Sequence, residues 1–277
     1  MTAEAESTIR SDVKYLFEIA AAVAGSGVAL SALMFYFGWV RTRVLFDFFG
    51  VPVSILNYSN TDYVLRSAEV FFKPAVWTVL TLGVLTAISI GVHLVESHDS
   101  ARSWRPLVRG MIVLAALGCV IAGILGLTRR MQPQLSAVLL CVGGVLIVLL
   151  YLLYRTHSPT RPPVMVLIIG VLLALAAAFW AVSIYAANLG TAVAADIATG
   201  RLTRPNVVVY STTDLGISGG QAVRCQPDGK ACRYTYAGYR LLAYTNNRWI
   251  LIRHPWAAGT PTVILPDNDS VRVELTP

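Results

Sequence analysis

Charge is what this chain has least of: Asp, Glu, Lys and Arg make up only 13% of its 277 residues, against 56% hydrophobic residues. That balance lies outside the range of ordinary soluble domains and indicates a membrane protein. Histidine is sparse too, and His93, His98, His157 and His254 are too scattered to give a metal-ligand spacing. The chain does not open with a single short apolar core and a small-residue cleavage site, so no secretion signal is expected. The net charge of +7 comes without a basic block, which argues against a nucleic-acid surface and suits residues flanking a bilayer. Gly216-Ile217-Ser218-Gly219-Gly220 lacks the lysine and the strand-to-helix setting of a phosphate loop. Asp267 and Asp269 lack the further ligands of a calcium loop and are expected to form a turn. With no convergent set of titratable groups, no enzyme is expected and no catalytic residue, metal or cofactor is assigned.

What the chain has in abundance is apolar sequence long enough to cross a hydrocarbon core, which takes about 20 residues per helix. The expected fold is an α-helical polytopic bundle of five spans, about 15–40, 74–95, 107–128, 135–154 and 164–187, with a small all-β C-terminal extracytoplasmic domain. Residues 1–14 form a short cytoplasmic N-tail, 15–195 the transmembrane domain, and 196–277 the β-rich part. Tyr36 and Trp39, before Arg41 and Arg43, sit like interface aromatics at the end of the first span. The link of Arg129 to Gln134 is short enough to make spans three and four an antiparallel hairpin. The uncharged stretch from Val164 is longer than a bilayer is thick, so its last turns, Asn188 to Ala195, are expected to emerge or tilt.

Basic residues do not decide the orientation. With the N-terminus inside, Arg10, Lys14, Arg102, Arg105, Arg109, Arg155 and Arg161 face Arg41, Arg43, Arg66, Lys73, Arg129 and Arg130 on the other side. Cys225 and Cys232 flank a Pro-Asp-Gly turn, and a disulfide closing that hairpin would persist only in an oxidising compartment. Five spans that start inside put the pair outside, and that orientation is adopted; two reduced thiols on a cytosolic hairpin are the alternative.

Beyond Ala195, β-branched and aromatic residues alternate with polar ones between turn residues. The expected strands are Asn206 to Ser211, Ala231 to Ala237, Tyr239 to Thr245, Arg248 to His254, Thr262 to Leu265 and Val271 to Leu275. Asn246-Asn247 is a two-residue hairpin signal. On the fourth strand Trp249 and Leu251 alternate with Ile250 and Ile252, so both faces look packed. In the segment 41–73, the run Val44, Leu45, Phe46, Phe48 and Phe49 is expected to lie on the membrane surface as an interfacial helix, or to dip into the membrane as a re-entrant element. Thr61-Asp62 looks like a helix start.

The stretches Gly38-Trp39-Val40-Arg41-Thr42-Arg43, Phe49-Gly50-Val51 and Asp62-Tyr63-Val64-Leu65-Arg66-Ser67 resemble a family of uncharacterised multi-span membrane proteins of high-GC Gram-positive bacteria. Near the other end, Tyr239-Arg240-Leu241-Leu242, Trp249-Ile250-Leu251-Ile252 and Val263-Ile264-Leu265-Pro266-Asp267 are similar to the closing β segment of those proteins. The resemblance implies a bacterial plasma membrane and carries over no catalytic residue.

Two patterns bear on function. On the second span Thr78, Thr81, Thr86, Ser89, His93 and Glu96 fall within an arc of about 140° on a helical wheel. Such a stripe is either a helix–helix seam or the lining of a hydrated path in a symmetric oligomer. Ala21, Gly25 and Ala29 on the first span, and Gly118, Ala122 and Gly126 on the third, have the four-residue spacing that lets helices approach. The expected partners are the lipid bilayer and further copies of the chain or a membrane partner subunit, with no nucleic acid. The expected function is interaction or assembly around an extracytoplasmic β domain, with an oligomeric channel as the alternative.

Overall fold

The computed structural model describes residues 27–72, 74, 76, 80, 83, 105–128, 132–157, 163–217, 220–221 and 234–277. Its helices are α1 (Gly27–Phe48), α2 (residues 60–72, with the described residues 74, 76, 80 and 83 helical as well), α3 (Arg105–Thr128), α4 (Pro133–His157) and α5 (Val164–Ala198). Among the described residues, α1, α3, α4 and α5 are long and apolar enough to cross a membrane. The chain divides into two compact units, Met1–Phe37 with Ala68–Ala186, and Gly38–Ser67 with Ala187–Pro277.

In the first unit, small residues bring helices together. A Cβ added at Gly123 would lie 2.6 Å from Leu140 Cγ, and one at Gly143 would lie 2.7 Å from Val120 Cγ2, so α3 and α4 meet nearly backbone to backbone. Gly144 does the same against Ala174 of α5, at 2.7 Å from its nitrogen. Such close approach gives the van der Waals contact on which helix packing in lipid relies. Tyr36, Phe37, Phe71 and Phe179 add a ring cluster, with Tyr36 stacked on Phe179 at 5.0 Å and Ser183 Oγ donating to Tyr36 Oη at 3.1 Å.

The small residues singled out on the third span do not share one environment within the chain. Gly118 has no atom within 4 Å of an added Cβ and Ala122 is exposed, while Gly126 is buried. Ala116, two residues from Gly118 and therefore about 200° around the helix, is buried at the seam with Gly123. Ala29 is half-buried; Ala21 and Gly25 lie outside the described residues.

The second unit contains an antiparallel sheet: β1 (Asn206–Ser211), β2 (Gly220–Gln221), β3 (Tyr234–Thr245), β4 (Arg248–Arg253), β5 (Val263–Pro266) and β6 (Val271–Thr276). The spatial order is β5-β4-β3-β1-β6, with β2 also on β3. Asn246 (φ 48°) and Asn247 (φ 52°) close the β3–β4 hairpin in the left-handed conformation that such two-residue turns need. Strands expected at 231–237 and 239–245 are one strand from Tyr234, bent where Gly238 takes φ 86°. Register shifts at Val207/Val209 and Leu241/Ala243 mark irregularities of the kind that add local twist.

Both sheet faces are covered. Val207, Val209, Tyr236, Tyr239, Leu251, Leu265 and Val271 form one core. On the opposite face, Leu242, Ile250 and Ile252 pack with Leu45, Phe46, Phe49, Val51 and Leu56, and with Ala194 and Ile197 near the end of α5. Residues 41–48 continue α1, Phe46 is 2% exposed, and the aromatic run is the cover of a sheet face that would otherwise meet water. Thr245 Oγ1 donates to the Leu56 carbonyl at 2.5 Å and Thr262 Oγ1 to the Phe49 carbonyl at 2.6 Å, pinning the linker that follows α1.

Helix α2 starts at a capping box rather than at Thr61. The Ser59 hydroxyl accepts from the Asp62 N–H at 3.2 Å, while the Asp62 carboxylate accepts from the Ser59 N–H at 2.9 Å and from its hydroxyl at 2.8 Å. Ser59→Ala should therefore lower the stability of the second unit by about 1 kcal/mol, readable as a shift in thermal or denaturant midpoint.

Candidate functional site

The chemistry-bearing place in the second unit is a cavity of about 320 Å³ with Leu45, Phe46, Tyr58, Arg66, Arg204 and residues 241–244 of β3 in its wall. Three local structures position it. The capping box at Ser59 starts α2, which carries Arg66 less than two turns beyond Asp62. At the other end, Gly200, four residues before Arg204, takes φ 76° just past α5, and its N–H donates to the Ile197 carbonyl at 3.1 Å, ending the helix. The Leu241 N–H then donates to the Pro205 carbonyl at 3.0 Å, fixing Arg204 beside β3.

Arg66 lies with its guanidinium carbon 4.3 Å from the Tyr58 ring centroid, a cation–π contact. Its backbone carbonyl accepts from Arg41 Nη1 at 2.9 Å. Arg204 is half-buried, and its Nε is shielded from solvent with no hydrogen-bond partner. Among the described residues, neither Arg66 nor Arg204 has a carboxylate within ion-pairing distance. Asp62 is the acid near Arg66, but its carboxylate is held by Ser59, whose hydrogen bonds, with Arg66's charge, depress its pKa. Burial and then the like charge of Arg66 push the Arg204 pKa below its ordinary value, and Tyr58 opposes them. Burial raises the Tyr58 pKa against the pull of Arg66, so the phenol stays neutral and can donate a hydrogen bond. Two cations, a phenol and an apolar wall thus share one hollow.

A second hollow of about 370 Å³ is bordered by Phe48, Phe49, Trp256 and residues 259–262. Trp256 packs on Phe48 and Phe49 at 5.0 and 5.4 Å between ring centroids. Among the described residues of its lining, Asp47 is the ionisable one.

Other polar groups serve the fold. The Asp214 carboxylate accepts from the Tyr236 hydroxyl at 2.8 Å and from the Gly216 N–H at 2.9 Å, and these bonds hold it below the usual carboxylate range. Asp267 accepts from the Tyr244 hydroxyl at 2.6 Å, which ties the turn containing Asp269 to β3. Among the described residues, no three of His, Cys, Asp and Glu are grouped to hold a metal ion.

The polar-stripe residues Thr78, Thr81, Thr86, Ser89, His93 and Glu96, and the pair Cys225 and Cys232, lie outside the described residues. Cys119 and Cys141 are free thiols. Sequence reasoning counted Arg66 only as a bilayer-flanking charge and passed over Tyr58 and Arg204. No local motif links an arginine on α2 to one 138 positions later, and only the covering of the sheet by helix ends brings them together. No family model, curated protein or solved structure matches the chain.

Proposed function

We propose that this is a multi-pass protein of a bacterial plasma membrane, with five crossings and an inside N-terminus, whose second unit is an extracytoplasmic binding module. The observation that carries the reading is the mixed parentage of that unit: Gly38–Ser67 and Ala187–Pro277 share one compact body. Leu45, Phe46 and Leu56 pack with Leu242, Ile250 and Ile252 in one core. Two stretches in one core occupy one side of a bilayer, so the chain between them crosses an even number of times. Helices α3, α4 and α5 account for three crossings. Parity calls for another between residues 67 and 105, and Pro74 to Val95 is the apolar stretch that the sequence offers there. Together with α1 this makes five, an odd number, which puts the N-terminus and the module on opposite sides. The cysteine pair Cys225 and Cys232, if bridged, favours the oxidising side for the module.

As a membrane-held module, the second unit acts in interaction or assembly, with the basic cavity as its binding feature. The glycine seams of α3, α4 and α5 suit tight helix packing, within a subunit or between copies. Impermeant maleimide labelling in intact cells tests the topology, using single cysteines at the exposed positions Ser54 and Asp269 in a background with the four native cysteines replaced by serine. Both should react without lysis. Reaction at one position and protection at the other would break the parity argument; protection at both would invert the orientation. Imaging of the purified protein in lipid nanodiscs tests the role, because a symmetric ring around a water-filled axis would favour a channel over a binding protein.

A further inference from the structure

We propose that the cavity between Tyr58, Arg66 and Arg204 binds a phosphate ester, with the two guanidinium groups taking the phosphate and the apolar wall taking the organic part. The inference rests on the second unit being a binding module and adds its ligand class.

Four observations converge on it. Two cations share one hollow with no carboxylate in ion-pairing distance of either among the described residues, and like charges held together without an anion are costly. The Nε of Arg204 is shielded from water and donates to nothing, so an acceptor is missing at that atom. Asp62, the acid that could neutralise Arg66, is committed to the helix cap by two bonds from Ser59. The wall also holds Leu45, Phe46 and Leu242, which offer carbon beside the polar groups.

The charge count selects the anion. A phosphate monoester carries about two negative charges at neutral pH and three terminal oxygens, enough to accept from both guanidinium forks at once. A carboxylate brings one charge and would leave the second arginine uncompensated. Tyr58, neutral and with its ring centroid 4.3 Å from the Arg66 guanidinium carbon, can donate its hydroxyl proton to a phosphate oxygen. A phosphate ester reaches such a site either as a lipid headgroup or as a soluble metabolite, and the chemistry of recognition is the same.

The test uses the full-length protein in phosphatidylcholine nanodiscs. One arm adds phenyl phosphate from solution; the other includes phosphatidic acid, a phosphomonoester lipid, in the disc. Saturable binding with a raised melting temperature is expected in at least one arm, and the arm that responds names the source. Arg66→Gln and Arg204→Gln should each weaken binding at least about 10-fold, as expected for the loss of charged hydrogen bonds. Benzoate should bind more weakly than phenyl phosphate. Arg204→Met separates ligand binding from folding: without ligand it should melt no lower than the wild type, because it removes a half-buried cation that faces another, and with ligand its melting temperature should not rise. No saturable response in either arm would overturn the proposal, and so would a double Arg66→Gln, Arg204→Gln variant that binds like the wild type. A ligand-free Arg204→Met protein that melts lower would make Arg204 a support of the fold and overturn it too. None of these outcomes moves the labelling at positions 54 and 269, so failure here is distinguishable from failure of the topology.

Discussion

Replacing Phe46 by alanine is expected to destabilise the second unit by about 3–5 kcal/mol, the range for emptying a large aromatic site in a packed core. The ring is 2% exposed and belongs to the cluster that joins α1 to Leu242, Ile250 and Ile252, with Tyr58 at 6.2 Å between centroids. Thermal unfolding followed through Trp249 and Trp256, which belong to the same unit, would report the loss. Were the run of 44–49 seated in lipid instead, Phe46→Ala would weaken membrane contact and leave the melting of the sheet unchanged. The same substitution enlarges the arginine-lined cavity, since Phe46 is part of its wall.

Gly38→Val is expected to be about as damaging. A Cβ at Gly38 would overlap the Tyr63 carbonyl oxygen, so α1 and α2 cross there with no room for any side chain. The obstacle is backbone, and no rotamer change relieves it; the cost should be on the order of 3 kcal/mol or more. Gly190 faces the same limit, with the carbonyl oxygen of Arg41 2.5 Å from an added Cβ. Gly118→Ala supplies the contrast. Nothing lies within 4 Å of that position, and alanine is about 1 kcal/mol better than glycine in a helix interior, so the change should be neutral or stabilising. Equal damage at Gly38 and Gly118, measured by thermal unfolding, would mean that close approach is not what holds these helices.

Much of this architecture can be read from local pattern. Alternation with turn residues marks β1, β4, β5 and β6 to within a residue or two, because each strand is bounded by its own breaker, and Asn246-Asn247 carries its turn geometry in its own conformational preferences. Gly238 misleads for the opposite reason: a glycine inside a strand can end it or bend it, and here it bends. Leu45, Phe46 and Phe49 are apolar enough to leave water, but apolarity does not say whether lipid or a sheet receives them. The clue was Leu242, Ile250 and Ile252, which leave a second sheet face in need of a cover. In α3, four-residue spacing admits more than one stripe of small residues, and only the partner helix selects Ala116 and Gly123 over Gly118. Arg66 and Arg204 form no pattern in sequence at all; their relation is a product of the fold.

The two threonine bonds that fasten the linker after α1 span 189 and 213 residues of sequence. A ribosome adding about 5–20 residues per second therefore makes Leu56 and Phe49 roughly 10–40 s before their donors exist. Throughout that interval the ledge of Phe46, Phe49 and Leu56 is complete and its lid, β3 and β4, is not yet made. Until the hairpin arrives, this apolar surface lacks the cover that β3 and β4 give it in the folded unit. A chain that stops before Arg248 never gains that cover, so its defect would be a failure of maturation even though α1, α3, α4 and α5 had all been synthesised.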